Sequence, residues 1–347
     1  MYNILNMGIK NLNAILKRNA PNAIIHETGV SAYTGKRVAV DVSVYMYKYK
    51  STYGKTWIKA FYEFMKGLAD MKCVFVFDSK TCPKEKMGER EKRSELKHKM
   101  RSKLEVIKDA IDMYTRTGTV GDVLAPFTHT NTNLAKLVPD SATASFSIEK
   151  ANEYIVKVEN QLRPITDTDF SDVKLMCRAL GFSVIDATIE AEFLCALLCH
   201  EKKVDAVMTE DTDAYVYLTP VILTKVSGRR FIEVKMEDVL SDLNMSSRQF
   251  VDMCIMCGTD YSPSIRGIGP VKAHKLIKMY GSVEEAAENA PLYAFNTIDH
   301  EKLRTLFAIR PSGISEIEFP RKDECALSSL VEQCVISPEV PLRRILK

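Results

Sequence analysis

The sequence predicts an α/β fold in which a central, mostly parallel β-sheet is flanked by helices. Two observations carry this prediction. Short apolar runs rich in β-branched residues each end at an acidic residue, and segments with helical periodicity separate these runs. The runs are 37–41 (RVAVD), 73–78 (CVFVFD) and 205–211 (DAVMTED). Continuous apolar strands connected by helices are typical of a parallel sheet covered on both faces.

Helical periodicity is present in five segments, namely 56–71, 148–160, 169–180, 190–200 and 246–257. In residues 115–143 the composition changes to Thr, Gly, Asn, Ser and Pro, which indicates a loop or insertion. We therefore expect one integrated domain made of four parts: a first region with a basic helix (1–114), an insertion or mobile loop (115–147), an internal region (148–257) and a C-terminal region (258–347).

The chain of 347 residues is 46% hydrophobic, which is sufficient for a sizeable core. Its net charge of +3 is too small to indicate a nucleic-acid partner, because a near-neutral total can hide strong local fields. Nine irregularly spaced cysteines without a secretory signal indicate reduced thiols in a nuclear or cytoplasmic protein. No apolar run approaches the roughly 20 residues that cross a bilayer, so we expect no membrane partner.

Seven acidic residues occur at predicted strand ends, helix starts and turns. Asp41, Asp78 and Asp211 end the three strands, where open α/β sheets bind their ligands. The other four are Glu190, Glu192, Asp213 and Asp260. Residues two apart do not share a face of a regular helix, so the pairs 190/192 and 211/213 can converge only from a helix start or a strand-to-helix turn.

Seven carboxylates at one place would repel each other and raise each other's pKa values unless cations lie between them. An all-oxygen ligand set favours Mg²⁺ or Mn²⁺ over zinc, and two such ions can polarise a phosphodiester and activate the attacking water. The simpler alternative is that each acid only caps a helix or lies on a solvated turn. A zinc site at Cys254 and Cys257 is a minor alternative, because this CxxC has no second pair.

A basic segment begins at Lys80, two residues after Asp78, which ends the second predicted strand. Residues 80–103 contain ten Lys or Arg against four Glu. Spacings of three and four align five of these bases along one face of a helix; they are Lys86, Arg90, Arg93, Lys97 and Arg101. A charge run is often only a solvated face, but nearness to the carboxylates favours binding of nucleic-acid phosphates.

A glycine hairpin follows the last of the acids, in residues 264–277 (SIRGIGPVKAHKLI). Gly267 and Gly269 permit a tight turn with close approach of backbone, and the proline after them suits the first turn of a helix. The start of that helix offers N–H groups to a phosphate, and Lys272 and Lys275 add positive charge. This helix-hairpin-helix pattern indicates binding of the duplex backbone without reading of its sequence.

Together these motifs resemble the flap endonuclease branch of the XPG-type 5′ nuclease family over nearly the whole chain. The segments that carry the resemblance are 7–12 (MGIKNL), 40–45 (VDVSVY), 75–78 (FVFD), 189–192 (IEAE), 209–213 (TEDTD), 258–261 (GTDY) and 264–270 (SIRGIGP). The resemblance implies two Mg²⁺ ions, for which Mn²⁺ can substitute, bound by the seven acids. It also implies that Lys86 and Arg93 contact the scissile phosphate, that Tyr47 stacks on a base next to the junction, that the hairpin binds K⁺, and that a helical arch threads a 5′ flap.

Four features depart from that family. One residue is inserted after Asp78, which affects the register of Lys86 and Arg93. Six residues precede Met7, so translation starts at Met7 or a tail precedes the family's first residues, and the stretch from Asp78 to Glu190 is longer than in a minimal member. The segment 341–347 (PLRRILK) has no paired aromatics, which makes sliding-clamp binding doubtful. A short, divergent chain suits a large DNA virus; we expect it in the nucleus, the host nucleus if viral, with the cytoplasm as the alternative.

We therefore predict a structure-specific 5′ flap endonuclease that hydrolyses DNA phosphodiester bonds at branched junctions by two-metal-ion catalysis, in DNA replication, repair or recombination. A 5′ to 3′ exonuclease or a Holliday-junction resolvase of the same family is the alternative, because it would share the acids and the metals. A non-catalytic DNA-binding scaffold would keep the hairpin but not the seven acids. An RNA-cutting PIN-type nuclease would share the acids but would not need the hairpin.

Overall fold

The computed structural model describes residues 8–79, 86–129, 145–311, 313–314 and 316–329. Several predicted features lie outside these residues. They are the start at Met7, residues 80–85 of the basic segment, residues 130–144 of the predicted insertion, the C-terminal segment 341–347, and two of the nine cysteines, Cys82 and Cys334.

The described residues form two compact units. The first unit comprises those within 1–48, 58–89 and 165–347, and the second comprises those within 49–57 and 90–164. All seven acids lie in the first unit. The predicted division into four parts stays a prediction, although its boundary at residue 114 falls inside a helix that continues to Thr117.

The strands of the described residues are β1 (Ile24–Gly29), β2 (Arg37–Asp41), β3 (Lys72–Phe77), β4 (Thr128–His129), β5 (Ser145–Phe146), β6 (Ser183–Asp186), β7 (Ala206–Met208), β8 (Val221–Ser227) and β9 (Arg230–Lys235). Seven of them form one sheet in the first unit, in the order β1-β9-β8-β7-β2-β3-β6. The strands from β8 to β6 run parallel to their neighbours, whereas β9 is antiparallel to both β8 and β1. The predicted mostly parallel sheet is confirmed.

The α-helices of the described residues are α1 (Leu12–Asn19), α2 (Val42–Tyr53), α3 (Trp57–Gly67), α4 (Met87–Thr117), α5 (Ile148–Leu162), α6 (Asp167–Ala179), α7 (Ala191–His200), α8 (Asp213–Val216), α9 (Met236–Leu243), α10 (Ser247–Cys257), α11 (Pro270–Tyr280), α12 (Val283–Asn289) and α13 (His300–Phe307). Each of the five predicted helical segments overlaps one of these helices; they are α3, α5, α6, α7 and α10. Within the described part of the chain, no helix is both long and apolar enough to cross a membrane.

The central strands are buried because apolar side chains occupy successive positions rather than alternate ones. Val38 to Val40 in β2 and Val74 to Val76 in β3 are fully buried, as expected for strands covered on both faces. Helix α7 packs on β2, β3 and β7. This packing fixes the carboxyl ends of the strands, where Asp41 and Asp78 lie.

The second unit contains most of the long helix α4. Its buried residues are Leu104 and Ile107, and Leu104 packs with Val158 and Leu162 of α5. The apolar stripe therefore anchors the C-terminal half of α4. The bases predicted to bind DNA, from Arg90 to Arg101, precede that stripe.

The glycine hairpin has the local backbone that the sequence predicts. Gly267 has φ of 81°, in the left-handed region that favours glycine. Gly269 is extended and precedes α11, whose first residue is Pro270. The hairpin thus connects α10 to α11, and a branched side chain at position 267 would strain this backbone.

Candidate active site

The strand ends and helix starts of the first unit place the seven acids. Asp41 is the last residue of β2, and Asp78 directly follows β3. Glu190 has extended backbone at the N-cap of α7, and Glu192 lies in the first turn of that helix. The predicted helix-start arrangement of the 190/192 pair is confirmed.

The remaining three acids lie on turns. Asp211 lies between β7 and α8, and Asp213 is the first residue of α8. Asp260 lies in the turn after α10, where Thr259 and Ser262 form a β-bridge. Backbone hydrogen bonds link the three: the Asp213 N–H donates to Asp211 Oδ1 (2.9 Å), and the Asp260 N–H donates to Asp213 Oδ2 (3.1 Å).

Lys86 forms ion pairs with three of the seven acids. Its Nζ lies 2.7 Å from Glu190 Oε1, 2.8 Å from Glu192 Oε1 and 3.6 Å from Asp260 Oδ2. Burial lowers the pKa of Lys86, but the charges of Glu192, Glu190 and Asp260 outweigh burial and raise it far above its ordinary value. The neighbouring carboxylates therefore favour the charged form of Lys86.

The acids raise one another's pKa values, as predicted for a convergent cluster. Burial and the charge of Asp78 raise the pKa of Asp41 to about 7, although the Thr209 hydroxyl, which donates to Asp41 Oδ2 (3.0 Å), opposes the shift. Burial is also the main reason that the pKa values of three others lie well above their ordinary values; they are Glu192, Asp211 and Asp213. These carboxylates lack enough positive charge around them.

The chemistry of the site fits hard divalent cations. All donors are carboxylate oxygens, which Mg²⁺ and Mn²⁺ prefer. Asp213 Oδ1 is buried and, among the described residues, has no hydrogen-bond partner, although buried polar atoms are normally satisfied. Further cations would relieve the repulsion that helps to raise the pKa values of Asp41, Glu192, Asp211 and Asp213.

The seven carboxylates do not meet at one point in the structure. In the described part of the chain, the only three His, Cys, Asp or Glu residues whose ligand atoms lie mutually within 4.8 Å are Glu284, His300 and Glu301. That set belongs to an ion-pair network, since Arg304 binds both Glu284 and Glu301. The CxxC cysteines are buried on α10, and burial raises the pKa of both thiols, which disfavours zinc binding.

Tyr261 is part of the site, although sequence reasoning gave it no role. Its hydroxyl donates to Glu190 Oε2, and its ring lies 4.8 Å from the Nζ of Lys86. A second tyrosine, Tyr217, lies 3.3 Å from the same hydroxyl. The signal was available, because Tyr261 directly follows Asp260 and a turn that positions one residue also positions the next.

Gly8 shows that the N-terminal segment forms a wall of the site. A Cβ at this position would lie 2.4 Å from Asp211 Oδ1 and 2.7 Å from the Asp213 nitrogen. The Thr212 hydroxyl donates to the carbonyl of the next residue, Ile9, at 3.2 Å. A side chain at position 8 would therefore displace the carboxylates.

Comparison with known proteins agrees with this geometry. The XPG N-terminal domain matches residues 7–100, and the XPG I-region matches residues 181–260. Flap endonuclease 1-B of Xenopus laevis is 30% identical over 344 residues, which cover 92% of this chain and 79% of that protein. This chain belongs to the XPG-type flap endonuclease family. Membership makes it a nuclease, that is, a hydrolase of DNA phosphodiester bonds.

Other relatives and structures of this family are similar over most of the chain. Flap endonuclease 1 of Cryptosporidium muris is 32% identical over 351 residues; the match covers 91% of this chain and 65% of that protein. The catalytic core of Rad2 in complex with DNA substrate has a TM-score of 0.63 at 17% identity, covering 97% of both chains. Flap endonuclease-1 from Methanococcus jannaschii has a TM-score of 0.55 at 20% identity, covering 89% of this chain and 90% of that chain. These two structures show the fold.

Of the five bases that the sequence pattern aligned, Lys86 belongs to the first unit and the other four belong to the second unit. Lys86 precedes Met87, the first residue of α4, and its ammonium lies among the carboxylates of the first unit. Its alignment with the other four bases along one helix face stays a prediction, because Lys86 directly precedes the regular helix. Those four lie on α4 in the second unit; they are Arg90, Arg93, Lys97 and Arg101. Burial, followed by the charges of Arg101 and Arg93, lowers the pKa of Lys97, so this face is crowded with positive charge.

The other predicted DNA contacts lie on the first unit. Tyr47 is on α2, and 40% of its surface is exposed. Lys272 and Lys275 lie on α11 after the hairpin, and the Lys272 Nζ is 5.6 Å from the centre of the Tyr293 ring. Their contacts with DNA, and those of the two hairpin glycines, stay predictions.

Proposed function

We propose that this protein is a metal-dependent, structure-specific 5′ flap endonuclease that cuts DNA at branched junctions with two divalent cations. The observation that carries the proposal is the cluster of buried carboxylates in which Lys86 forms ion pairs with Glu190, Glu192 and Asp260. Burial and neighbouring charges raise the pKa values of four acids of the cluster, which are Asp41, Glu192, Asp211 and Asp213. A purely structural cluster would be neutralised by its own hydrogen bonds. In this protein the carboxylates are not neutralised in that way, which supports a site that binds cations and a phosphodiester.

The seven acids would hold two Mg²⁺ or Mn²⁺ ions; they are Asp41, Asp78, Glu190, Glu192, Asp211, Asp213 and Asp260. Bound there, the ions would polarise the phosphodiester and activate the attacking water. Neighbouring groups orient the carboxylates before substrate arrives: the Thr209 hydroxyl donates to Asp41, the Ala191 N–H donates to Asp78 (2.9 Å), and Tyr261 donates to Glu190. Preorganisation of this kind lowers the cost of reaching the transition state.

Positive groups of the chain would hold the DNA. In this proposal Lys86 and Arg93 contact the scissile phosphate, and the other bases of α4 contact the flap backbone. The glycine hairpin and α11, with its K⁺ site, hold the duplex backbone without reading sequence. Tyr47 stacks on a base at the junction. We place the enzyme in DNA replication, repair or recombination in the nucleus.

Cleavage of one panel of labelled substrates tests the proposal. The panel contains a 5′ flap, a 3′ flap, a nicked duplex, a four-way junction and a single strand, each incubated with Mg²⁺, Mn²⁺, Ca²⁺ or excess chelator. We expect cutting at the base of the 5′ flap with Mg²⁺ or Mn²⁺, and none with Ca²⁺, whose looser geometry misaligns water and leaving group. Preference for the four-way junction or for digestion from a 5′ end would assign the chain to the alternative activities. Cutting in chelator would reject the metal-dependent mechanism.

A further inference from the structure

A cavity of about 390 Å³ lies beside the carboxylates in the first unit. Residues 8–14 form one wall, which includes the first turn of α1, and Thr212 belongs to another. Gly8 and Thr212 contribute to both sites, because Gly8 packs against Asp211 and Thr212 follows it in the chain. The cavity therefore adjoins the end of the active site that the N-terminal segment covers.

Lysines dominate the charge of this cavity. Lys10, Lys17 and Lys225 line it, and Glu210 is its only acidic lining residue. The Glu210 carboxylate lies 2.5 Å from the Nζ of Lys48, which offsets its charge. The first turn of α1 adds the partial positive charge of a helix N-terminus. The cavity is therefore suited to an anion.

The ammonium groups of Lys17 and Lys225 lie close enough for the charge of one to act on the other, while the charge of Glu210 opposes that effect. Lys225 has φ of 52°, in the left-handed region, at the irregularity between Thr224 and Ser227 where β8 pairs with β9. Burial lowers the pKa of Lys225, and the charge of Lys17 lowers it further. Neighbouring like charges are unfavourable unless an anion lies near them, and strained backbone is concentrated at functional positions.

We propose that this cavity binds a backbone phosphate of the DNA substrate through Lys10, Lys17 and Lys225. The proposal rests on the proposed function, because a strand that reaches the carboxylates passes the wall that the two sites share. A phosphate in the cavity would fix the position of that strand at Gly8 and Thr212. It would add affinity but no sequence preference, since phosphate contacts position a protein without reading bases.

Salt-dependent binding of a fluorescent 5′ flap DNA, measured by anisotropy in Ca²⁺, tests the proposal. Lys17→Gln and Lys225→Gln are compared with Arg18→Gln. Arg18 is the next residue on α1, is exposed, and does not line the cavity. Each cavity variant should weaken binding roughly five- to tenfold at 0.1 M salt and lower the slope of log Kd against log salt by about one, because one phosphate contact is lost. Arg18→Gln should change neither quantity.

Equal slopes for wild type and both cavity variants would overturn the proposal, and so would an equal loss in Arg18→Gln. A second arm uses inorganic phosphate and thermal unfolding, which also shows that the variants fold. If phosphate raises the unfolding temperature of wild type but not of Lys17→Gln, while DNA binding is unaltered in both variants, the cavity takes a free anion and the DNA assignment fails. Cleavage is not required for either arm, so the outcome is separate from that of the flap endonuclease proposal.

Discussion

Replacement of Arg304 by Met should destabilise the C-terminal part of the first unit by about 3 kcal/mol. Arg304 on α13 donates to both carboxylate oxygens of Asp252 on α10, at 2.6 and 2.7 Å, and to Glu284 on α12 at 2.6 and 2.9 Å. The Asp252 side chain is fully buried, and that of Arg304 is 13% exposed. Loss of one partner from a buried pair costs about 3–5 kcal/mol because a buried charge stays uncompensated. The lower value applies here because the Val283 N–H also donates to Asp252.

Arg248→Met is the matched control for this change. Arg248 contacts the same Glu284 at 3.4 Å, but its side chain is 65% exposed, and exposed pairs contribute about 0–1 kcal/mol. Urea unfolding followed by circular dichroism gives both free energies of unfolding. Equal losses in the two variants, or a loss below about 1 kcal/mol for Arg304→Met, would refute the assignment of the energy to the buried pair.

The same comparison has a defined dependence on pH. The hydrogen bond from Arg304 lowers the pKa of Glu284 from its ordinary value of 4.5. A carboxyl whose pKa is lowered on folding contributes stability that is present above its unfolded pKa and is lost as pH falls through the folded one. The difference between wild type and Arg304→Met should therefore be constant above about pH 5 and narrow in acid. A difference that widens in acid would contradict this sign.

Four further substitutions test the site and its DNA contacts. Asp211→Ala should abolish cleavage and keep the Kd for flap DNA within a few fold. It should also raise the unfolding temperature in chelator, because a buried carboxylate that its neighbours repel is removed. Full activity of this variant would reject the metal assignment. Gly267→Val should weaken duplex binding, because φ of 81° is strained for a branched residue, with the single-turnover rate at saturation unchanged. Lys86→Ala should slow single-turnover cleavage about 10²-fold, whereas Lys97→Ala should mainly weaken DNA binding. Equal losses of rate in the two variants would show that both lysines only attract the DNA electrostatically and that Lys86 has no catalytic role.

The parallel part of the sheet was predictable because burial on both faces leaves a simple pattern. Strands β2 and β3 are continuous apolar runs that end at acids, and their bounds agree with the sequence pattern to within one residue. The antiparallel edge was not predicted. In β8 the alternation is broken by Lys225, whose left-handed backbone at the irregular pairing interrupts a regular strand. Period-two reasoning fails where the strand itself is not regular.

Some side-chain assignments in the site followed from local sequence patterns, whereas others depended on tertiary contacts. The spacing of Glu190 and Glu192 excluded a shared helix face and so predicted the helix start that is observed. The predicted basic helix face began at Lys86, one residue before Met87, the first residue of α4. Tyr261 acts through tertiary contacts with Glu190 and Lys86. Its position next to Asp260 indicates that it lies in the site, but no local pattern encodes its partner Glu190, which lies 71 positions away in the chain.

The electrostatics distinguish a catalytic cluster from acids that merely cap helices. A capping carboxylate accepts N–H bonds, which lower its pKa. Glu190 is the N-cap of α7, yet its side chain makes no capping bond there. For Asp41 the pKa is raised from 3.8 to about 7, so the folded protein holds a proton that the unfolded chain has lost. Stability without metal should then fall as pH rises from about 4 to 7. Asp41 therefore opposes folding when no cation is bound, as expected of a residue in the proposed metal site.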